Sequence, residues 1–453
     1  MNFTWSKKKK SIGVNYGTLG NNLPPPAQVA QFLKERTIID RIKLFDANPD
    51  ILRAFANTGI FVTVTVANGE IPQLTQIAAA RAWVDSHIAP FHPETKINRI
   101  IVGNEILHSL DNNLISNLVP AMKAMYEALQ QAGIRDVEVT TAHSLGILLR
   151  SQPPSTGRFR PGWDVGVLAP MLEFHRKTKS AFMVNPYPYF GYSPKLENFA
   201  LFKPNQGRFD RYTKITYMNM FDSQLDAVYS SMKALGYGDV QIAVGETGWP
   251  SVAEPNQLGV SLDIAATYNG LLVKHVNSGL GTPLMPKRRF ETFIFGLFNE
   301  NVKPGPNAER NFGLFWPNFT PVYNAGIMKG QQFPGVPATI PLPPKKKGGR
   351  GGARPAPRPV PKPAVGGSWC VPKQGVNDAI LQGSIDYVCS TGIDCKPIQA
   401  GGACFNPSNV RSHASWAMNA YFASKGRQNF ICDFKQSGVI VKADPSYGTC
   451  KYA

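Results

Sequence analysis

The first 369 residues of this 453-residue chain contain no cysteine. Whatever folds there stands on its apolar core, without disulfides or thiolate-bound metal. No run of about 18 apolar residues occurs anywhere, so no membrane-spanning helix is expected. The opening MNFTWSKKKK lacks the apolar stretch of a secretory leader, and only Lys451, Tyr452 and Ala453 follow Cys450, so no lipid-anchor tail is expected either. Acidic residues are scarce, 30 against 48 Lys and Arg, giving a net charge of +18. That charge is localised: Lys7 to Lys10 and the seven bases from Lys345 to Lys362 carry eleven of it. A basic folded face for nucleic acid is therefore disfavoured, and no aromatic interleaves the basic run.

All six cysteines crowd into the C-terminal end, as Cys370, Cys389, Cys395, Cys404, Cys432 and Cys450. Their spacings contain no Cys-x-x-Cys pair, which favours disulfides made in an oxidising compartment over metal binding. No metal or cofactor is expected. Ahead of them, Pro341 to Gly367 holds eight prolines, six glycines, seven bases and no acid. Such a composition cannot bury a core and reads as an extended linker, with a secondary reading as a contact for acidic wall polymers. Three parts follow: a large domain over 11–330, a linker over 331–367 and a stapled module over 368–453.

Eight short apolar runs punctuate the large part: Ile12 to Tyr16, Ile39 to Phe45, Phe61 to Val66, Asn98 to Gly103, Val137 to Ala142, Ala181 to Asn185, Val240 to Gly245 and Thr292 to Phe298. Between them lie helical spacings such as Leu114, Leu118, Ala121, Met122, Met125, Leu129 and Leu225, Val228, Tyr229, Met232, Leu235. Eight alternating units predict an α/β fold, a (β/α)8 barrel. An open doubly wound sheet is the alternative, but no Gly-rich phosphate loop follows a strand.

Barrel active sites lie at the C-terminal strand ends, where RIIVGNE carries Glu105 and AVGETGWPS carries Glu246. Two carboxylates at opposed strand tips are the parts for hydrolysing a glycosidic bond; about 5 Å apart they would make a retaining glycosidase. Asn104 is positioned for a sugar 2-hydroxyl. Tyr16, Tyr187, Tyr189, Phe190, Trp249, Phe315 and Trp316 are candidate stacking platforms, with Tyr187 and Trp249 favoured because each closely follows a strand end. Asn318-Phe319-Thr320 is a glycosylation sequon, compatible with secretion.

The segments IGVNYGTLGNNLP, KLFDANPDIL, VGNE, VNPYPYF, VGETGWPS and NFGLFWPN together resemble plant endo-1,3-β-glucanases of glycoside hydrolase family 17, over roughly Ser11 to Met328. The resemblance implies a barrel cleaving internal 1,3-β-glucosidic bonds with retention, with Glu105 as acid/base and Glu246 as nucleophile. It also implies supporting roles for Glu291 and Glu300 near the nucleophile and for Asn185 within VNPYPYF. From Trp369 onward, WCVPKQGVNDAILQGSIDYVC, CFNPSNVRSHASWAMNAYF and DPSYGTCKY resemble carbohydrate-binding module family 43. That implies the bridges Cys370 to Cys432, Cys389 to Cys395 and Cys404 to Cys450, and binding of 1,3-β-glucan, with Trp416, Tyr421 and Phe422 the aromatics to test first. Apolar spacings at Val376, Ala379, Ile380, Ile385, Val388 and at Val410, Ala414, Ala417, Met418, Tyr421, Phe422 predict two helices, a mainly α module.

The expectation is a monomeric, extracellular cell-wall enzyme acting on 1,3-β-glucan. Alternatives are a transglycosylase of the same chemistry and a non-catalytic wall-binding protein, the latter disfavoured by the two glutamates.

Overall fold

The computed structural model describes residues 12–330 and 368–452, except 256, 391–392, 425–426, 428–431, 433 and 435–436. The expected linker and the Lys7 to Lys10 run lie outside the described residues. The chain divides into two compact units between Pro341 and Leu342.

In the first unit eight parallel strands close into a barrel in sequence order. They are β1 (Ile12–Tyr16), β2 (Ile39–Leu44), β3 (Phe61–Val66), β4 (Lys96–Asn104), β5 (Glu138–Ser144), β6 (Phe182–Asn185), β7 (Ile242–Thr247) and β8 (Thr292–Ile294). Closure comes from β8 pairing with β1, Gly13 opposite Phe293 and Val14 opposite Ile294. The last strand is shorter than the run through Phe298 suggests. Beyond Ile294 the backbone bonds instead to loop residues, Gly296 N–H to Phe312 and Leu297 N–H to Asn15. Helices pack outside: Asn112–Gln131 buries Leu118, Ala121, Met122, Met125 and Leu129, and Asp111 caps it by accepting from the N–H groups of Asn113 and Leu114. Helix Met220–Ala234 buries Leu225, Val228 and Met232 in the same way.

Alternate residues of each strand point inward and fill the barrel in layers. The middle layer is apolar: Ile101, Ala142, Met183, Ala243 and Phe293 form one buried cluster. The layer at the N-terminal strand ends is ionic. Glu291, immediately before β8, accepts from Arg41 of β2 at 2.5 Å and from Arg99 of β4. Glu138 takes the other face of Arg99 at 2.8 Å. Gly13 makes room there, since a Cβ would lie 2.5 Å from the Phe293 ring and 2.8 Å from Arg41. Glu291 therefore does not sit beside Glu246, where the resemblance placed it. It precedes its strand, whereas Glu105 and Glu246 lie at the C-terminal ends of theirs, so it plugs the opposite end of the barrel.

The second unit pairs Trp369–Pro372 antiparallel with Gly438–Val441 and packs helices Asp378–Ser390 and Val410–Ser424 together. Its core holds Leu381, Ile385, Val388, Ala414, Ala417, Met418 and Phe422. Ile380 of the expected apolar face is instead 48% exposed. Cysteines pair as Cys370–Cys432, Cys389–Cys395 and Cys404–Cys450, the pairing the resemblance implied. Each bridge is worth about 2–4 kcal/mol to a core this small. Phe422 is completely buried, so it supports the module and offers no ring to a sugar. Trp416 is half-buried against the core, while Tyr421 bonds through its hydroxyl to Tyr387 at 2.9 Å. Tyr421, Tyr387 and Phe434 form a ring cluster, and Tyr387 is half-exposed.

Burial alone would raise the Glu291 carboxyl, but the charges of Arg99 and Arg41 outweigh it and hold it below its ordinary value. Its contribution to stability is thus full at neutral pH and lost as pH falls through the folded-state value. Glu291→Gln should lower stability at pH 7 by about 1–3 kcal/mol, because two buried guanidiniums each lose one of two carboxylate partners, Arg41 keeping Asp40 and Arg99 keeping Glu138. Urea unfolding checks this, and activity per folded molecule should survive; loss of activity in a stable variant would return Glu291 to the catalytic end.

Candidate active site

The tip of β4 is held in an unusual backbone. Gly103 has φ +67°, and a Cβ there would meet Ile71 at 2.6 Å, so only glycine fits. Two residues on, Glu105 is itself left-handed at φ +54°, with its N–H donated to the Ala142 carbonyl at 2.9 Å. A non-glycine residue in that region is strained, and the bond to β5 helps to hold it. Glu246 lies inside β7, beside Thr247, whose hydroxyl bonds to Tyr268 at 2.6 Å.

Both glutamates line one cleft of about 700 Å³ at the C-terminal strand ends. Their surroundings differ. Glu105 accepts from the Asn185 amide at 2.8 Å. Burial, then the charge of Glu246, raises its carboxyl above the ordinary range, while Asn185, Lys43 and His108 partly oppose the rise. Glu246 instead accepts at one oxygen from the Lys43 ammonium, 2.7 Å away, and at the other from the Tyr187 hydroxyl at 3.1 Å. Burial and the charges of both glutamates push the Tyr187 hydroxyl well above its ordinary value, so it remains a donor. Donors on both oxygens fix the orientation of the Glu246 carboxylate and leave Lys43 as its partner charge.

Lys43 was not singled out in the sequence. It is fully buried, with its ammonium 4.3 Å from the Phe45 ring centroid and 3.5 Å from Asn104 Oδ1. The signal was the alternation of β2, which turns Arg41 and Lys43 to the same inner face. Also missed were Lys303 and Glu309 on the cleft wall, ion-paired at 3.1 Å, and Phe312.

The other sequence candidates divide. Asn104 sits at the tip of β4, its N–H bonded to Asn68. Glu300 is buried and accepts from the Leu19 N–H at 2.8 Å; burial, then the charges of Glu309 and Glu246, raise its carboxyl, while the Leu19 N–H and Lys303 oppose the rise. Tyr16 is buried, its hydroxyl pushed up to about 12 by burial and by Asp46. Trp249 is 0% exposed, its indole N–H donated to the Gly259 carbonyl at 2.8 Å, and it packs on Tyr189, Tyr192 and Tyr268. It is therefore core, not a stacking platform. Tyr189 is nearly buried beside it, and Phe315 is fully so. The ring left open is Phe190, 71% exposed, lining the cleft and leaning on Tyr187. Trp316 is 44% exposed and does not line the cleft. Among the described residues, no three His, Cys, Asp or Glu side chains gather as metal ligands.

Residues 12–327 match the glycosyl hydrolases family 17. The chain belongs to that family. It is thus a glycosidase, and residues 368–439 match the X8 domain, the module of carbohydrate-binding family 43. A glucan endo-1,3-beta-glucosidase of Triticum aestivum is 50% identical over 446 residues, covering 97% of this chain and 94% of the relative. A glucan endo-1,3-beta-D-glucosidase of Olea europaea is 42% identical, with 100% and 95% covered. Among solved structures, CJP38, a beta-1,3-glucanase and allergen of Cryptomeria japonica pollen, superposes with TM-score 0.66 at 40% identity, covering 69% of this chain and 98% of that one.

Because the charge of Glu246 helps to raise Glu105, Glu246→Gln should lower the Glu105 pKa, and Asn185→Ala, which removes an opposing hydrogen bond, should raise it. Carbon-13 NMR titration of the labelled glutamate carboxyls checks both signs.

Proposed function

We propose that this family 17 enzyme is an endo-hydrolase of internal 1,3-β-D-glucosidic linkages that works by double displacement with retention. The observation that carries the reading is the unequal treatment of two carboxylates in one cleft: Glu105 raised, Glu246 clamped between Lys43 and Tyr187. Substrate class is supported by the wheat and olive relatives, each named as a glucan endo-1,3-β-glucosidase.

In the first step Glu105 gives its proton to the glycosidic oxygen while Glu246 attacks the anomeric carbon. The leaving chain departs as an alcohol and a glycosyl ester forms on Glu246. The negative charge of Glu246 is then gone, so Glu105, now a carboxylate, has lost one cause of its raised pKa. It takes a proton from water as that water attacks the same carbon from the vacated face. Asn104 would bond the 2-hydroxyl, Asn185 holds Glu105, and Phe190 offers its face to a ring. If a sugar hydroxyl replaces water, the same steps give transglycosylation.

The X8 module would hold the enzyme on the polymer, raising local concentration without entering the active site. Secretion to the cell wall is supported by the three disulfides and by Asn318, which is exposed in its sequon turn. Acidic wall polymers remain the proposed partner of the basic linker.

The assignment of the acid/base is tested with Glu105→Ala. Activity on linear 1,3-β-glucan should fall by about 10²–10⁴. With an aryl 1,3-β-oligoglucoside, whose leaving group needs no proton, azide should restore turnover and yield the β-glycosyl azide. Absence of rescue, or wild-type activity on the polymer, would remove Glu105 from that role.

A further inference from the structure

Six of the seven histidines have a ring nitrogen engaged. His87 meets Ser86, His92 meets Asp136, His143 meets the Met171 sulfur, His175 meets Ser180, His275 meets Asp222 and His413 meets the Phe405 carbonyl. The seventh, His108, has no side-chain partner among the described residues, and it stands exposed on the wall of the catalytic cleft. An imidazole left open in a polar cleft has a donor and an acceptor available for a ligand.

Its position is fixed by Glu105. His108 lies in the single helical turn Ile106–Ser109 that follows β4, and its N–H donates to the Glu105 carbonyl at 2.9 Å. The ring lies beside Gly146 in the loop after β5; a Cβ there would be 3.6 Å from His108 Nδ1 and 3.1 Å from Ser144 Oγ. His108, Ser144 and Gly146 thus form one stretch of cleft wall, with His108 one helical turn from the acid/base, whereas Glu246 enters from β7. The sugar next to the proton donor is the one that leaves. Glycine at 146 keeps the approach to the imidazole open.

We propose that His108 is a specificity-determining residue that hydrogen-bonds the leaving glucose unit of the 1,3-β-glucan through a free ring nitrogen. The inference rests on Glu105 as proton donor, which azide rescue decides separately; the experiment below keeps Glu105 intact.

The test compares wild type, His108→Ala and His108→Gln on two substrates with the same glycone: a 1,3-β-gluco-oligosaccharide, whose leaving group is a sugar, and the aryl glycoside, whose leaving group is not. For His108→Ala, kcat/KM on the oligosaccharide should fall by about five- to tenfold, one hydrogen bond's worth, and the loss should exceed that on the aryl glycoside by at least about fivefold. The loss should fall in KM more than in kcat, and His108→Gln, which keeps a donor and an acceptor, should recover part of it. Equal losses on both substrates would mean that His108 acts through Glu105 and would overturn the proposal, as would no loss on either. Rescue of Glu105→Ala by azide alongside such a result would leave the acid/base assignment standing while the His108 proposal fell.

Discussion

One buried ion pair, Lys43 to Glu246, separates the chemistry of two glutamates that share a cleft. Two carboxylates at one site compete, since each charge disfavours the other. An ammonium 2.7 Å from Glu246, with no exposure to water, balances the charge of that carboxylate. Glu246 is matched by a cation and a phenol, so Glu105 is left with burial and a like charge, both raising its pKa. The barrel places each member: Lys43 on an inward position of β2, Glu246 on β7, Glu105 one residue beyond β4. An isolated buried lysine would be costly; here its partner is also the proposed nucleophile.

The barrel interior repeats this logic in layers. At one end Glu291 neutralises Arg41 and Arg99, and that layer seals the bottom. An apolar layer of Ile101, Met183 and Phe293 stands above it. The charges at the other end are thus insulated from those at the bottom, and the two ends serve different purposes, stability below and chemistry above.

Much of this was legible in the sequence because barrel strands are buried on both faces and appear as continuous apolar runs. Glu105 and Glu246 stood out as charges ending such runs. Glu291 was placed near Glu246 only by the resemblance; it precedes its strand, whereas Glu105 and Glu246 lie at the ends of theirs, and that direction along the strand separates the two ends of the barrel. Trp249 follows a strand end yet folds back under Tyr189, a choice made by loop geometry that no periodicity records. Phe422 fell on the core side of its helix and Tyr421 on the side facing Tyr387, a rotation that helical spacing alone left open. Lys43 and His108 were within reach of the sequence. The inner-face alternation of β2 points to the first, and one helical turn from Glu105 points to the second.

In the proposed mechanism Glu246, held by Lys43, becomes covalently bonded to the sugar. The most direct test is peptide mass spectrometry of the wild-type enzyme after incubation with a 2-deoxy-2-fluoro 1,3-β-oligoglucosyl fluoride, which slows the second step more than the first. One glycosyl adduct should appear on the peptide containing Glu246, formed far more slowly in Lys43→Met. An adduct on another carboxylate, or none while the compound turns over with inversion, would contradict it.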